Sequence, residues 1–124
     1  MFWLLGKAYL EIVRLEWYLR RGQFNRLYER VQSCPIARAQ SGGAAQEDIF
    51  RAVNLACVFY FKEIFCLQRA AATTCLLRKA GIRAEMVIGI QPLPFHAHAW
   101  VEVEGAVVNE KSYTPEMYSV LSRC

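Results

Sequence analysis

The spacing of apolar residues changes at Gly81, and this change limits the chain to folds that contain both helices and a sheet. Before Gly81, apolar residues recur at the short intervals of helix faces. After it, the segment 97–103 alternates strictly, with His98, Trp100 and Glu102 on one face and small or apolar residues on the other. Such alternation is typical of a half-buried antiparallel strand. We therefore expect an α+β fold in which N-terminal helices pack on a small, mainly antiparallel sheet, with strands near 82–90, 97–103 and 106–110.

The first half of the chain predicts three helices. Residues 2–21 carry few polar positions, so this first helix should be buried over most of its circumference. The second, about 23–32, should end before a proline, and the stretch 39–45 is linker-like. A third follows at about 46–62. Because 124 residues is a common size for one domain, we expect a single domain over 1–124, with an N-terminal helical part at 1–38 and a core at 46–124.

Cys66 is expected to be the first residue of a fourth helix. The segment from Cys66 contains good helix formers, carries Arg78 and Lys79 where a last turn would be, and reaches Gly81 as a natural stop. The unpaired N–H groups and the dipole at a helix start favour a thiolate, and the same N–H groups can receive an oxyanion. Cys66 is therefore the candidate nucleophile, and a buried structural thiol is the alternative.

The candidate base is one of the two histidines in the chain. His98 lies inside the alternating strand, next to Trp100, which can shield an imidazole from water. His96 stands at the edge of a Pro-rich loop. A cysteine followed by a histidine on a later strand is the order of papain-like thiol enzymes. We therefore favour His98 over His96.

The third catalytic group depends on the turn at 104–105. A two-residue loop would place Asn109 on the face of His98. A three-residue loop, with Gly105 in the left-handed conformation, would place Glu110 directly opposite His98. We favour the three-residue loop and Glu110, because a carboxylate stabilises an imidazolium ion, whereas the amide of Asn109 offers only orientation.

Composition argues against several other classes of protein. The five cysteines are odd in number and lack a CxxC spacing, which disfavours a disulfide framework and a zinc site and favours reduced thiols in the cytoplasm. Lys7 and Glu11 interrupt the apolar start too early for a membrane span. The 15 basic residues are scattered among 11 acidic ones, which disfavours nucleic-acid binding. We expect neither a metal nor another cofactor.

Several motifs together resemble one family. Cys-Leu-x-Arg at 66–69, LLRKAGIRA at 76–84, MVIGI at 86–90 and PFHAHAWVEVEGAVVNE at 94–110 are similar to the leader-peptidase component of lasso-peptide biosynthesis. That family belongs to the transglutaminase-like, papain-related superfamily, and the resemblance covers roughly 50–124. Its cysteine matches Cys66, its histidine matches His98, and its acidic residue falls at Glu110.

The resemblance implies a cysteine peptidase that removes the leader from a ribosomally made lasso-peptide precursor. It implies three partners: the leader peptide, a separate leader-recognition protein, and the lasso cyclase that acts on the released core. Trp100 and the apolar N-terminal helix are candidate substrate or partner contacts, the latter through Phe2, Trp3, Leu10 and Trp17. Two other functions stay open, namely acyl transfer to an amine by a transglutaminase-type enzyme and non-catalytic peptide binding by the same fold.

Overall fold

The computed structural model describes residues 2–36, 42–60, 66–92, 95–108 and 118–124. Within these ranges, helices come first and strands follow, which confirms the expected α+β class. The helices are α1 (Phe2–Arg20), α2 (Phe24–Ser33), α3 (Gly42–Phe59) and α4 (Cys66–Lys79). The strands are β1 (Ala84–Pro92), β2 (Phe95–Val103), β3 (Ala106–Val108) and β4 (Ser119–Arg123).

The helix boundaries follow local sequence signals closely, with one correction. Gly22 and Gly81 end α1 and α4 with φ values of 65° and 84°, which glycine adopts without steric penalty. The interpretation of 39–45 as linker is wrong in its second half, because α3 begins at Gly42. Ala44 and Ala45 are strong helix formers, and they extend the helix into the glycine pair.

Helix α4 is the centre of the hydrophobic core. It contacts α1, α2, α3 and the first two strands, and its residues from Ala70 to Arg78 are all buried. Buried polar groups in this segment donate hydrogen bonds to backbone carbonyls of α4 and of neighbouring segments. Thr74 donates a hydrogen bond to the Ala70 carbonyl at 2.9 Å, and the Arg78 guanidinium donates to the carbonyls of Ala84 and Val31. A fixed α4 gives its first residue, Cys66, a defined position.

The four described strands form one antiparallel sheet in the order β3-β2-β1-β4. Met86 and Val101 join the core that the sheet shares with the helices. In the central pair, Gly89 lies opposite His98. Strand β4 pairs with the other edge of β1, with an irregularity between Ile88 and Gly89. Strand β4 was not predicted from the sequence.

The turn between β2 and β3 has two residues, so the predicted three-residue loop is wrong. Val103 pairs with Ala106 and Val101 with Val108. Glu104 and Gly105 have φ values of 53° and 80°, so the predicted positive φ of Gly105 is confirmed. Two consecutive positive φ values form a type I′ turn, whose twist matches that of the paired strands.

The register that predicted Glu110 opposite His98 is therefore wrong. A left-handed Glu104 costs roughly 1–2 kcal/mol, and the matched twist of the hairpin offsets it. Asn109 and Glu110 themselves lie outside the described residues.

Among the helices that the structure describes, none has the length and apolar character needed to cross a membrane.

Candidate functional site

A cleft lies where the first turns of α4 approach β2. Cys66, Arg69 and Thr73 line it from the helix, and His98 lines it from the strand. The helical residues share one face because they are spaced three and four apart. The cleft has about 30 Å³ of free room, which is enough for roughly two water molecules. The folded chain thus brings the predicted nucleophile and the predicted base to the same cavity.

Cys66 is the first residue of α4, as predicted, and its side chain is half-buried. The N–H groups of the first helical turn have no partners within the helix, and they carry the positive end of the helix dipole. An oxyanion that forms at this end is stabilised electrostatically. Arg69 adds a cationic group one turn further along the cleft.

Two aromatic rings hold the imidazole of His98. The Trp100 ring lies 6.1 Å from it between centroids, at an angle of 27°, and the Tyr118 ring lies 5.5 Å from it, at 28°. Trp100 is 2% exposed. Because the Trp100 and Tyr118 rings also lie 5.9 Å apart, the three rings form one cluster, and contact with two rings limits the rotation of the imidazole. Trp100 was predicted as a neighbour of His98, but Tyr118 was not.

Gly89 provides the space for this aromatic cluster. A Cβ atom at Gly89 would lie 2.7 Å from Trp100 Cη2, 2.8 Å from Trp100 Cζ3 and 2.8 Å from Tyr118 Cβ. Real Cβ atoms essentially never approach other atoms so closely. The role of Gly89 was not predicted, although the sequence contains a signal for it: a glycine inside an apolar strand often marks a close approach.

Glu102 fixes the other edge of Trp100. Its buried carboxylate accepts a hydrogen bond from Trp100 Nε1 at 2.9 Å and one from Arg123 at 2.8 Å. The hydrogen bond to Glu102 raises the pKa of Arg123. This connects β4 to the ring that stacks on His98. Glu102 was predicted on the same face as His98, without a role.

Comparison with known proteins identifies the family. The profile described as Transglutaminase-like superfamily matches residues 9–123. The chain belongs to the transglutaminase-like superfamily. This confirms the membership that the motifs implied. The microcin J25-processing protein McjB of Escherichia coli is 36% identical over 72 residues, which cover 56% of this chain and 34% of McjB. The match thus spans about a third of the relative's length. No solved structure matches the chain.

The other four cysteines, Cys34, Cys57, Cys75 and Cys124, do not line the cleft. Cys34 and Cys75 lie together in the core, with their Sγ atoms 2.7 Å apart. The hydrogen bond between them lowers the pKa of Cys34 to about 7 and raises that of Cys75. Burial raises the pKa of Cys57 and Cys124. Among the described cysteines, Cys66 is the one that shares a cavity with a histidine.

Other predicted site residues lie elsewhere or outside the description. Leu10 and Trp17 are exposed on α1 and do not line the cleft. The side chains of Phe2, Trp3 and His96 are outside the described part of the chain. Within that part, no three metal-ligating side chains come together as a metal site.

Proposed function

We propose that the chain is a cysteine peptidase that removes the leader from a ribosomally made lasso-peptide precursor, with Cys66 as nucleophile and His98 as base. The observation that carries this proposal is the shared cleft. Cys66, at the start of α4, and His98, on β2, line the same cavity in a chain of the transglutaminase-like superfamily. A thiol at a helix start and an imidazole in reach of one carbonyl group are what acyl transfer through a thioester requires.

The reaction proceeds in two balanced steps. The Cys66 thiolate attacks the carbonyl carbon between leader and core, and the oxyanion that forms is stabilised by the N–H groups at the start of α4. The imidazolium of His98 gives its proton to the leaving amine, so the core is released and the leader stays on sulfur as a thioester. Water, deprotonated by His98, then hydrolyses the thioester and regenerates the thiolate.

The substrate class is proposed from two sources. The motifs around Cys66 and His98 resemble lasso leader peptidases, and the similar protein McjB is named for processing microcin J25. In this proposal a separate leader-recognition protein presents the precursor and raises its local concentration at the cleft. The released core then passes to the lasso cyclase. The isolated chain should therefore be slow on its precursor.

Register and charge favour different residues as the third catalytic group. The two-residue turn at 104–105 favours Asn109, because a regular continuation of β3 would place it, and not Glu110, on the face of His98. A carboxylate would still stabilise the imidazolium better than an amide. If Glu110 has this role, Glu110→Gln should lower kcat sharply and Asn109→Ala should matter less. The opposite order would assign the role to Asn109.

Mass spectrometry of products tests the main proposal. The chain is incubated with a precursor peptide and a candidate recognition protein, and the released leader and core are weighed. Cys66→Ala should abolish cleavage, and His98→Ala should lower it by about 10²–10⁴-fold. Cys57→Ala is the matched control, because Cys57 is a half-buried thiol outside the cleft, and it should stay within a few fold of wild type.

The same assay separates the alternatives. With a primary amine added, a leader that carries the amine in place of water would indicate acyl transfer. Precursor binding without turnover, unchanged in Cys66→Ala, would indicate a non-catalytic binding domain. Cleavage that survives Cys66→Ala would exclude the thiol mechanism.

A further inference from the structure

Helix α1 exposes an apolar stripe to solvent. Gly6, Leu10, Val13 and Trp17, which we call the seam, lie along one side of the helix. Leu10 is 56% exposed, Val13 41% and Trp17 57%. At Gly6, nothing lies within 4 Å of the position that a Cβ atom would take. The opposite side of α1 is buried in the core, so the seam faces away from it, with the Arg21 guanidinium resting on Trp17 at one end.

The seam has the spacing of a helix–helix interface. Its residues are separated by intervals of four, three and four, which is the pattern of the a and d positions in a coiled coil. Between Trp17 and Tyr60, the last described residue after α3, the surface forms a groove of about 680 Å³. A helix laid along the seam would place large side chains there, and Gly6 would allow close approach of its backbone.

The charges beside the seam are positive. Lys7 and Arg14 occupy successive e positions of the same heptad pattern, Arg21 follows the end of α1 directly where the next e position would be, and all three are exposed. Arg14 lies 3.7 Å from Glu11, and the Arg21 guanidinium lies over the Trp17 ring of the seam, 4.3 Å from its centroid. Both carboxylates of α1 are buried. Glu11 is 2% exposed and lies near three cationic groups, one of them Arg14, whereas Glu16 is 5% exposed and pairs with an arginine. One side of the seam therefore presents a row of cations.

We infer that the seam binds an amphipathic helix of a partner protein, with acidic residues beside its apolar stripe. Charge complementarity selects this occupant, since glutamates on the partner would face the row of cations. A second copy of the chain is disfavoured, because an antiparallel pair would set the cationic row against itself. That the partner is the leader-recognition protein rests on the proposed function, whereas the binding itself does not.

Two designed peptides test the inference on the full chain. Both have three heptads with leucine at a and d; one has glutamate at e and g, and the other has lysine there. Like charges at e and g keep each peptide from pairing with itself. Measured by fluorescence anisotropy of labelled peptide, the acidic peptide should bind at least about tenfold more tightly, and the difference should shrink as salt is added. Equal binding, or tighter binding of the basic peptide, would overturn the inference.

Variants locate the binding. Val13→Glu should abolish it, whereas Leu121→Glu, which places the same charge at a 66% exposed apolar position on β4, should not. The double change Lys7→Glu and Arg21→Glu should shift preference to the basic peptide, and circular dichroism should confirm that each variant is folded. An unchanged preference, or equal loss in Leu121→Glu, would refute the assignment of the seam.

A second copy as the occupant would also refute it. That outcome would appear in sedimentation as a dimer that Val13→Glu dissociates. The binding test measures no cleavage, so its failure would not contradict the proposed peptidase activity. Failure of the cleavage assay would likewise not contradict helix binding at the seam.

Discussion

Replacing Gly89 by alanine should destabilise the protein and disturb His98, because the added methyl group has no room. Its contacts with Trp100 and Tyr118 would be 2.7–2.8 Å, whereas carbon atoms prefer about 3.5–4.0 Å. Relief requires shifts of roughly 1 Å in atoms that are not free to move. Trp100 is buried and hydrogen-bonded to Glu102, and the clashing atom of Tyr118 is bonded to the backbone.

The magnitude follows from known overpacked cores. Such insertions cost about 1–3 kcal/mol, and for a domain of this size a loss of about 2 kcal/mol lowers Tm by roughly 6–10 °C. Far-UV circular dichroism measures the melting, and the near-UV signal reports the displaced indole ring. Cleavage activity should fall further than stability explains, because both rings that stack on His98 shift.

Gly6→Ala is the matched control for this change. The glycine lies inside α1 with open space around its Cβ position. Alanine there should raise stability by about 0.5–1 kcal/mol, since it restricts the unfolded chain and favours the helix. If Gly89→Ala melted within about 2 °C of the wild type, a shift that corresponds to only ~0.5 kcal/mol, the steric argument for Gly89 would fail. It would also fail if Gly6→Ala lost as much stability.

Three further changes test other parts of the structure. Glu102→Gln should lower the free energy of unfolding by about 1–2 kcal/mol, as measured by chemical denaturation. The change removes the negative charge that pairs with the half-exposed Arg123 guanidinium but keeps one oxygen that can accept a hydrogen bond. Alkylation of Cys34, followed by peptide mapping, should reach half its maximal rate near pH 7, since its thiolate forms above a pKa of about 7; Cys75→Ala should move that midpoint upward. Glu104→Asn should raise Tm by a few degrees, because asparagine is favoured in the first central position of a type I′ turn. Unchanged or lower Tm would contradict the two-residue turn.

The helices and the central hairpin were predictable because their signals are local. Cys66 starts α4 where good helix formers begin, and Gly81 ends the helical segment with a positive φ. The alternation around His98 predicted β2 and the residues that share its face. In each case the relevant interactions lie within a few positions along the chain, so the pattern of residue types contains them.

The errors and omissions have non-local causes. Glu11 is one of the few polar residues in the segment of α1, yet it is buried where Arg30 of α2 donates a hydrogen bond to it at 2.9 Å. The three-residue turn was predicted because it gives His98 an acidic partner. The twist of the hairpin instead favours a two-residue turn, in which Glu104 adopts a positive φ. Strand β4 alternates weakly and pairs with β1, about thirty positions earlier in the chain, so no local pattern predicted it.

Strand β4, which was not predicted from the sequence, helps to position His98, which was. Arg123 of β4 holds Glu102, and Glu102 in turn holds the indole of Trp100. Tyr118, directly before β4, also stacks on the imidazole, and Gly89 of the neighbouring strand leaves room for both rings. His98 is thus oriented by a packed aromatic cluster in addition to any partner that its nitrogen atoms have. Changes in β4 far from the cleft should therefore lower activity through the position of the imidazole.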